Sequence, residues 1–316
     1  MIAAVLCTSI VFAAPEKQTV LVVIGAPGSE EYSEQFVEWG QRWEESAKEA
    51  EAEFALIGQS GDGETDREEL KTALAEQQKR PNSALWLVLI GHGTFDGQNA
   101  KFNLRGPDVS AIELDEWLKP LEKPTVILNC ASASGPFINQ LSGPNHLIVT
   151  ATKSGHEHNF ARFGDYISSA INDTDADFDK DEQVSLLEAF LAASKRVEDF
   201  YESESRLASE HALLDDNGDG LGTPATWFRG VRAERSAKDG AQLDGLRANQ
   251  VHLIRSTHER DLPDDVRTQR DKLESDIERL RSLKVELGED QYYNQLESVL
   301  LELARLYDDV ATKQAK

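Results

Sequence analysis

The hydrophobic residues in the first two thirds of the chain fall into short continuous runs. These runs lie at 19–24, 55–57, 84–90, 124–129 and 145–150. They are rich in valine, leucine and isoleucine, which is typical of strands buried on both faces of a parallel sheet. Between them, apolar residues recur at helical spacing, as Phe36, Trp39 and Trp43 show. The alternation predicts an α/β fold: a doubly wound, mostly parallel sheet flanked by helices.

The pattern changes near residue 235, where charged and helix-forming residues become dominant. After a polar linker, apolar residues recur every three or four positions over 266–287 and again over 292–310. This spacing predicts two helices of similar length that form an antiparallel hairpin or coiled coil. We therefore expect an α/β domain at 15–234, followed by a linker and helical hairpin at 235–316.

The first fourteen residues, MIAAVLCTSIVFAA, are apolar and uncharged and end in small residues. They predict a signal peptide at 1–14, which is too short to span a membrane, and hence an exported protein, either periplasmic or extracellular. A buried first strand is the alternative. Removal of this leader would also remove Cys7 and leave Cys130 as the one cysteine, which excludes an intramolecular disulfide.

Acidic residues outnumber basic ones by 57 to 33, and the formal net charge is −24 at pH 7. Such a charge repels phosphate backbones, so we expect no nucleic-acid partner. The same excess suits a protein that holds hard cations, because calcium sites consist of clustered carboxylate oxygens.

One acidic stretch, 177–188, has the spacing of an EF-hand calcium loop. Its oxygen donors at positions 1, 3, 5, 7, 9 and 12 are Asp177, Asp179, Asp181, Gln183, Ser185 and Glu188. Predicted helices flank the stretch, as they do in an EF-hand, and we expect calcium there. Glu182 departs from the pattern, since the EF-hand favours glycine at that position. An acidic turn that caps the following helix is the alternative.

A second acidic stretch carries half of the same pattern. Asp215, Asn217 and Asp219 lie at alternate positions, and a glycine follows at the sixth. The twelfth position is Thr226, so the bidentate carboxylate of an EF-hand is missing. The stretch is therefore expected to be either a second ion site or a simple turn. Calcium at either stretch is expected to be structural.

Two candidate catalytic residues come directly after predicted strands. His92 follows the run 84–90, between two glycines, and Cys130 follows the run 124–129. Ligands of such sheets bind beyond the carboxyl ends of the strands, so we expect both residues at one edge. An imidazole lowers the pKa of a nearby thiol and later protonates the leaving amine. Backbone N–H groups of Gly93 and Cys130 are expected to form an oxyanion hole. A cysteine that packs as a small apolar residue is the alternative.

The motifs WLVLIGHG at 86–93 and VILNCASASG at 126–135 resemble those of the legumain family and its caspase-like relatives. In that family one apolar strand precedes His-Gly, and a second precedes Cys and a small residue. The likeness covers about 19–230, with the elements in the expected order. It implies a caspase-like or hemoglobinase-like sheet and a cysteine endopeptidase acting on proteins or peptides. The implied dyad is His92 and Cys130, with no metal required for catalysis.

The sequence departs from eukaryotic legumains at the specificity pocket. Those enzymes place an acidic residue two positions before the nucleophile, where this chain has Leu128. The loops expected to shape the pocket carry Glu31 and Glu157. Their carboxylates would select arginine or lysine at the cleavage position through charge-assisted hydrogen bonds. Solvated surface charge is the alternative.

The leading hypothesis is therefore a cysteine endopeptidase stabilised by calcium. One alternative is a catalytically silent, calcium-binding scaffold that keeps the caspase-like fold. Another is a transpeptidase, because an amine can capture a thioester as well as water can. The helical hairpin is expected to mediate either homo-oligomer formation or an autoinhibitory contact with the active-site cleft.

Overall fold

The computed structural model describes residues 17–61, 64–237 and 242–314. The signal peptide expected at 1–14, including Cys7, lies outside the described residues. The leader and the export that depends on it stay predictions.

The described elements alternate between strands and helices, as the hydrophobic pattern predicts. The strands are β1 (Thr19–Ile24), β2 (Glu53–Ile57), β3 (Leu85–Ile90), β4 (Gly93–Phe95), β5 (Ala100–Phe102), β6 (Val109–Ser110), β7 (Thr125–Asn129), β8 (His146–Thr150), β9 (Leu213–Asp215), β10 (Thr223–Pro224), β11 (Phe228–Arg229) and β12 (Arg232–Ala233). The α-helices are α1 (Glu30–Glu49), α2 (Asp66–Gln77), α3 (Ala111–Leu118), α4 (Pro136–Leu141), α5 (Phe163–Ala170), α6 (Leu186–Ser203), α7 (Leu246–Gln250), α8 (Thr257–Asp261), α9 (Asp264–Ser282), α10 (Lys284–Leu287) and α11 (Glu289–Gln314). Short 3₁₀ helices lie at Thr174–Ala176 and Ala225–Trp227.

The main sheet has seven strands in the order β10-β9-β8-β7-β3-β1-β2. The five strands from β8 to β2 in this order are parallel, and β9 and β10 add an antiparallel edge. The predicted fold class, a mostly parallel sheet flanked by helices with helices at the C-terminus, is confirmed.

Both faces of the sheet are covered, because alternate residues of each strand point to opposite sides. Along β1, Val20 and Val22 join one core cluster, and Leu21 and Val23 join the other. The first cluster also contains the buried residues of α1, α5 and α6. The second contains those of α2, α3 and α4. Two layers of helix therefore leave the ends of the strands as the place for a site.

The central strands β3 and β7 fix which residues meet at the carboxyl edge. They pair in parallel, with Leu89 opposite Asn129, so the segments that follow both strands emerge side by side. A small antiparallel sheet, β4-β5-β6, lies at this edge. Directly after β5, the Asn103 carbonyl accepts a hydrogen bond from the N–H of Ala26 (2.9 Å), and the Asn103 N–H donates to the His92 carbonyl (3.0 Å). The loops after β1 and β3 are thereby tied together.

The segment between the α/β domain and the C-terminal helices follows the surface of the domain. Gln18 Nε2 donates to the Leu253 carbonyl (3.2 Å), and the N–H of Ser256 donates to Gln183 Oε1 (3.1 Å). Beyond it, α9 packs against α11, which confirms paired C-terminal helices. The expected domain limits stay predictions. Among the described helices, none combines the length and the hydrophobicity needed to cross a membrane.

The packing of α5 against α1 and β7 leaves no room for a side chain at Gly164. A methyl group there would lie 2.6 Å from Trp39 Cζ3 and 3.0 Å from Cys130 Cβ. Gly164→Ala is expected to lower the free energy of unfolding by about 1–3 kcal/mol, because a packed core tolerates added volume poorly. Urea unfolding measures the change.

Gly143→Ala is the matched control, since its methyl group would meet no described atom closer than His146 Nδ1 at 3.8 Å. Its effect should stay within about 0.5 kcal/mol. Equal stability of the two variants would contradict the close packing around Gly164.

Candidate active site

His92 lies where β3 ends, in an aromatic surround. Its ring centroid is 5.1 Å from that of Tyr32, 5.4 Å from Phe36 and 6.0 Å from Phe160. Its Nε2 lies 3.1 Å from the Pro27 carbonyl oxygen. Because a carbonyl oxygen can only accept, Nε2 carries the proton of the neutral ring and Nδ1 is left as an acceptor.

The protonation of His92 suits a general base. Burial lowers the pKa of His92, and the smaller effect of the Pro27 carbonyl opposes this shift. The neutral ring therefore prevails near pH 7, with its tautomer set by Pro27. The fold thus supplies an oriented, proton-accepting imidazole at the sheet edge.

Cys130 is placed in the core. Its residue is 1% exposed, and its Cβ lies among the buried residues around Trp39 and Gly164. Burial raises the pKa of the thiol to about 12, and the Glu210 carboxylate adds to the shift. Among the described residues, no hydrogen bond joins Cys130 to His92. The thiol is therefore packed in the core, where burial favours its protonated form, and the catalytic role of Cys130 stays a prediction.

The two backbone donors expected to form an oxyanion hole have different partners. The N–H of Cys130 already donates to the Leu89 carbonyl (2.9 Å), so the sheet uses this donor. The N–H of Gly93 instead points at Ser132, whose Oγ lies 3.2 Å away. Within the described part of the chain, the N–H of Ser132 makes no hydrogen bond. Gly93 and Ser132 are thus the two backbone donors that could receive an oxyanion.

Ser132 is a candidate nucleophile that the sequence alone does not single out. Its Oγ also lies 3.3 Å from the Gly93 carbonyl, to which it donates, and the residue is 2% exposed. The two segments can approach this closely because Gly93 has no side chain. A Cβ at this position would lie 2.3 Å from the Ser132 carbonyl oxygen. The available signal was a serine two residues after Cys130, within the run of small residues at 131–135.

A cavity of about 380 Å³ adjoins the histidine, because Tyr32 and Phe160 line it and also contact His92. Its charged lining residues are Glu31, Arg162 and Arg206. Two guanidinium groups therefore face one carboxylate, which favours an acidic or neutral ligand over a basic one. Neither arginine was singled out from the sequence.

The structure does not bring the two predicted pocket glutamates together. Glu31 lines the cavity beside His92, whereas Glu157 is not among its lining residues. One Glu157 oxygen lies 2.5 Å from His211 Nδ1, and the other accepts the N–H of Lys153 (2.9 Å). Glu157 therefore stabilises the loop after β8, and the expected pair of carboxylates for a basic side chain is not formed.

The predicted calcium loop at 177–188 brings three of its carboxylates together. Ligand atoms of Asp177, Asp179 and Glu188 lie within 4.8 Å of one another. The other predicted donors have protein partners: Asp181 accepts from Gln183 and Gln183 from Ser256, while Ser185 caps α6. Calcium in this loop stays a prediction.

No protein-family model and no curated protein matches the chain. Among solved structures it is similar to the Drosophila initiator caspase Dronc, with 14% identity, a TM-score of 0.45 and coverage of 66% of this chain and 83% of that one. It is also similar to caspase-1 from Spodoptera frugiperda (10% identity, TM-score 0.39, 58% and 80%) and to Raptor from Chaetomium thermophilum (10%, 0.36, 49% and 18%). Similarity at this level carries no argument about activity, and membership of the legumain family stays a prediction from the two motifs.

The burial of Cys130 has a direct chemical consequence. Because a thiol reacts as its thiolate, iodoacetamide should alkylate Cys130 of the folded protein at least about a hundredfold more slowly than that of the urea-unfolded protein at pH 8. Mass spectrometry measures both rates, with Cys130→Ser as the blank. Comparable rates in the two states would show a reactive thiol and would support the cysteine mechanism.

Proposed function

We propose that the chain cleaves peptide bonds at the edge formed by His92, Gly93 and Ser132, with the Ser132 hydroxyl as the nucleophile. The observation that carries this proposal is the contact of Ser132 Oγ with the Gly93 N–H at 3.2 Å, directly after a histidine that the Pro27 carbonyl orients. A nucleophile, a base, the group that orients the base and an oxyanion donor are the parts that acyl transfer needs.

In this mechanism Ser132 Oγ turns from Gly93 toward the substrate carbonyl carbon and loses its proton to His92 Nδ1. The N–H groups of Gly93 and Ser132 then hold the negative oxygen of the tetrahedral intermediate. His92 returns the proton to the leaving amine as the C–N bond breaks, which leaves an acyl ester on Ser132. Water, activated by the same histidine, hydrolyses the ester and restores both groups.

Cys130 is the rival nucleophile. A thiol whose pKa is about 12 stays protonated near neutral pH, and Glu210 adds a negative charge that disfavours the thiolate. Cys130 would have to leave its packing against Trp39 and Gly164 before it could attack. Ser132 needs a rotation about its own side chain and the displacement of its two contacts with the Gly93 backbone. A transpeptidase would use the same acyl intermediate with an amine as the acceptor.

One observation favours a second candidate function, the catalytically silent scaffold. Ser132 and Cys130 are 2% and 1% exposed, so a substrate must move the surrounding loops to reach either one. Catalytic contacts often tighten only when substrate binds, which is why we place the enzyme first. If the folded chain turns over no peptide at all, the catalytically silent scaffold is the function that remains.

The kinetic test compares two single substitutions in the full chain. Ser132→Ala should lower kcat for an internally quenched peptide on the order of a thousandfold or more, because it removes the bond-forming atom. Cys130→Ala should stay within about threefold, since it removes a packed side chain. Stopped assays across a peptide library measure both. The reverse order of the two effects would establish Cys130 as the nucleophile.

We also propose that the cavity beside His92 receives the substrate side chain that precedes the scissile bond, and that Arg206 favours an acidic one. With peptides that differ at this position alone, kcat/KM should be higher for aspartate than for arginine. Arg206→Ala should lower the value for aspartate about tenfold and change that for alanine less than threefold.

Arg260→Ala is the matched control, because it removes the same charge from an exposed helix position outside the cavity lining. It should leave the preference unchanged. Faster cleavage after arginine than after aspartate in the unmodified chain would overturn the assignment and restore the basic preference expected from Glu31 and Glu157.

A further inference from the structure

We infer that the loop between β9 and β10 is a calcium site, built on Asp215 and Asp219. This inference is independent of the proposed peptidase activity. The second acidic stretch, rather than the better EF-hand match at 177–188, is the one in which buried carboxylate oxygens have no donor among the described residues.

Each polar side chain of this loop uses one oxygen on the backbone of the loop itself. Asp215 Oδ1 accepts the N–H of Gly218 (3.0 Å), and Asn217 Oδ1 accepts that of Asp219 (2.8 Å). Asp219 Oδ1 accepts the N–H of Leu221 (2.8 Å). These hydrogen bonds hold the side chains in place and leave the second carboxylate oxygens for another partner.

The remaining oxygens, Asp215 Oδ2 and Asp219 Oδ2, are buried and have no hydrogen-bond partner among the described residues. Asp215 is 1% exposed, so solvent does not satisfy it. The Ser142 hydroxyl is a hydrogen-bond partner of the Asp215 carboxylate, but Oδ2 is left without a partner among the described residues. A buried carboxylate oxygen without a donor is costly, and a cation is the partner that would satisfy two at once.

The local charge also favours a cation. Asp215, Asp216, Asp219 and Asp244 contribute four carboxylates to this region, and all except Asp219 are nearly fully buried. The guanidinium of Arg247 reaches the Asp216 backbone carbonyl (2.6 Å) and supplies one positive charge. Asp216 and Asp244 accept backbone N–H groups, and burial raises the pKa of Asp244 to about 8.

The loop at 177–188 differs in this respect. Glu188 accepts the N–H groups of Phe178 and Asp179 through Oε1 and that of Ser185 through Oε2. Asp177 accepts the N–H groups of Lys180, Asp181 and Glu182. Asp177 and Glu188 therefore already have protein donors, and Asp179, the third carboxylate of this cluster, is exposed to water.

The donor set of the β9–β10 loop consists of oxygens, which suits a hard cation. The EF-hand spacing adds the backbone carbonyl of Leu221 at the seventh position, and water would complete the shell because the twelfth residue is Thr226. Calcium fits such an irregular, partly hydrated site better than magnesium, which demands near-ideal octahedral geometry. The Ser142 hydroxyl, directly after α4, accepts the N–H of Gly220 in this loop (2.9 Å). The ion would therefore stabilise the end of α4 as well as the sheet edge.

The test uses the full chain, freed of metal and titrated with CaCl₂ by isothermal calorimetry and by thermal unfolding. We expect one calcium ion to bind and the melting temperature to rise by about 5 °C at a hundredfold excess over Kd. Asp215→Asn and Asp219→Asn should each abolish both effects. Because they remove repulsion between buried carboxylates, their metal-free melting temperatures should be equal to or above that of the unmodified chain.

Asp179→Asn is the matched control in the other acidic loop and should keep the full calcium response. A response that survives in both loop variants but is lost in Asp179→Asn would move the site to 177–188. No calcium binding by the unmodified chain, or an equal response to MgCl₂, would overturn the inference. If both asparagine variants are less stable than the unmodified chain in the absence of metal, the two carboxylates act as hydrogen-bond acceptors alone, which would also contradict the inference.

Discussion

The close contact between Gly93 and the turn after β7 is the constraint on which the candidate site depends. Parallel pairing of β3 with β7 brings the two segments together, and the missing side chain of Gly93 lets the Ser132 carbonyl approach. The N–H of Gly93 then meets the Ser132 hydroxyl at 3.2 Å. The paired central strands thus hold the segments that carry this backbone donor and this hydroxyl at a fixed separation.

The same sheet imposes the burial that separates the two candidate nucleophiles. Cys130 continues the side of β7 that faces α1 and α5, where Trp39 and Gly164 enclose it. Ser132 lies beyond this layer, at the turn that meets Gly93. A soft thiol is well accommodated in an apolar layer as a neutral group, whereas a hydroxyl is retained where it has backbone partners. The chemistry of the edge therefore follows from which residue of the motif lies beyond the apolar layer and keeps backbone partners.

Much of the fold could be predicted from the sequence, because buried parallel strands appear as continuous apolar runs. The runs at 84–90 and 124–129 became β3 and β7, and both candidate residues lie at their ends as expected. The role of Ser132 could not be predicted, since it depends on a contact across the sheet with Gly93. The two acidic loops show the same limit: spacing identifies donors, but only the hydrogen bonds of Glu188 and Asp215 show which oxygens are already in use.

The most direct measurement of the central claim is the reaction of the folded chain with a fluorophosphonate, a reagent that attaches to activated serine hydroxyls. Mass spectrometry of the digested protein locates the adduct. The account predicts one adduct, on Ser132, that is lost after heat denaturation and in His92→Gln but retained in Cys130→Ala. An unmodified Ser132 in the folded protein would contradict it.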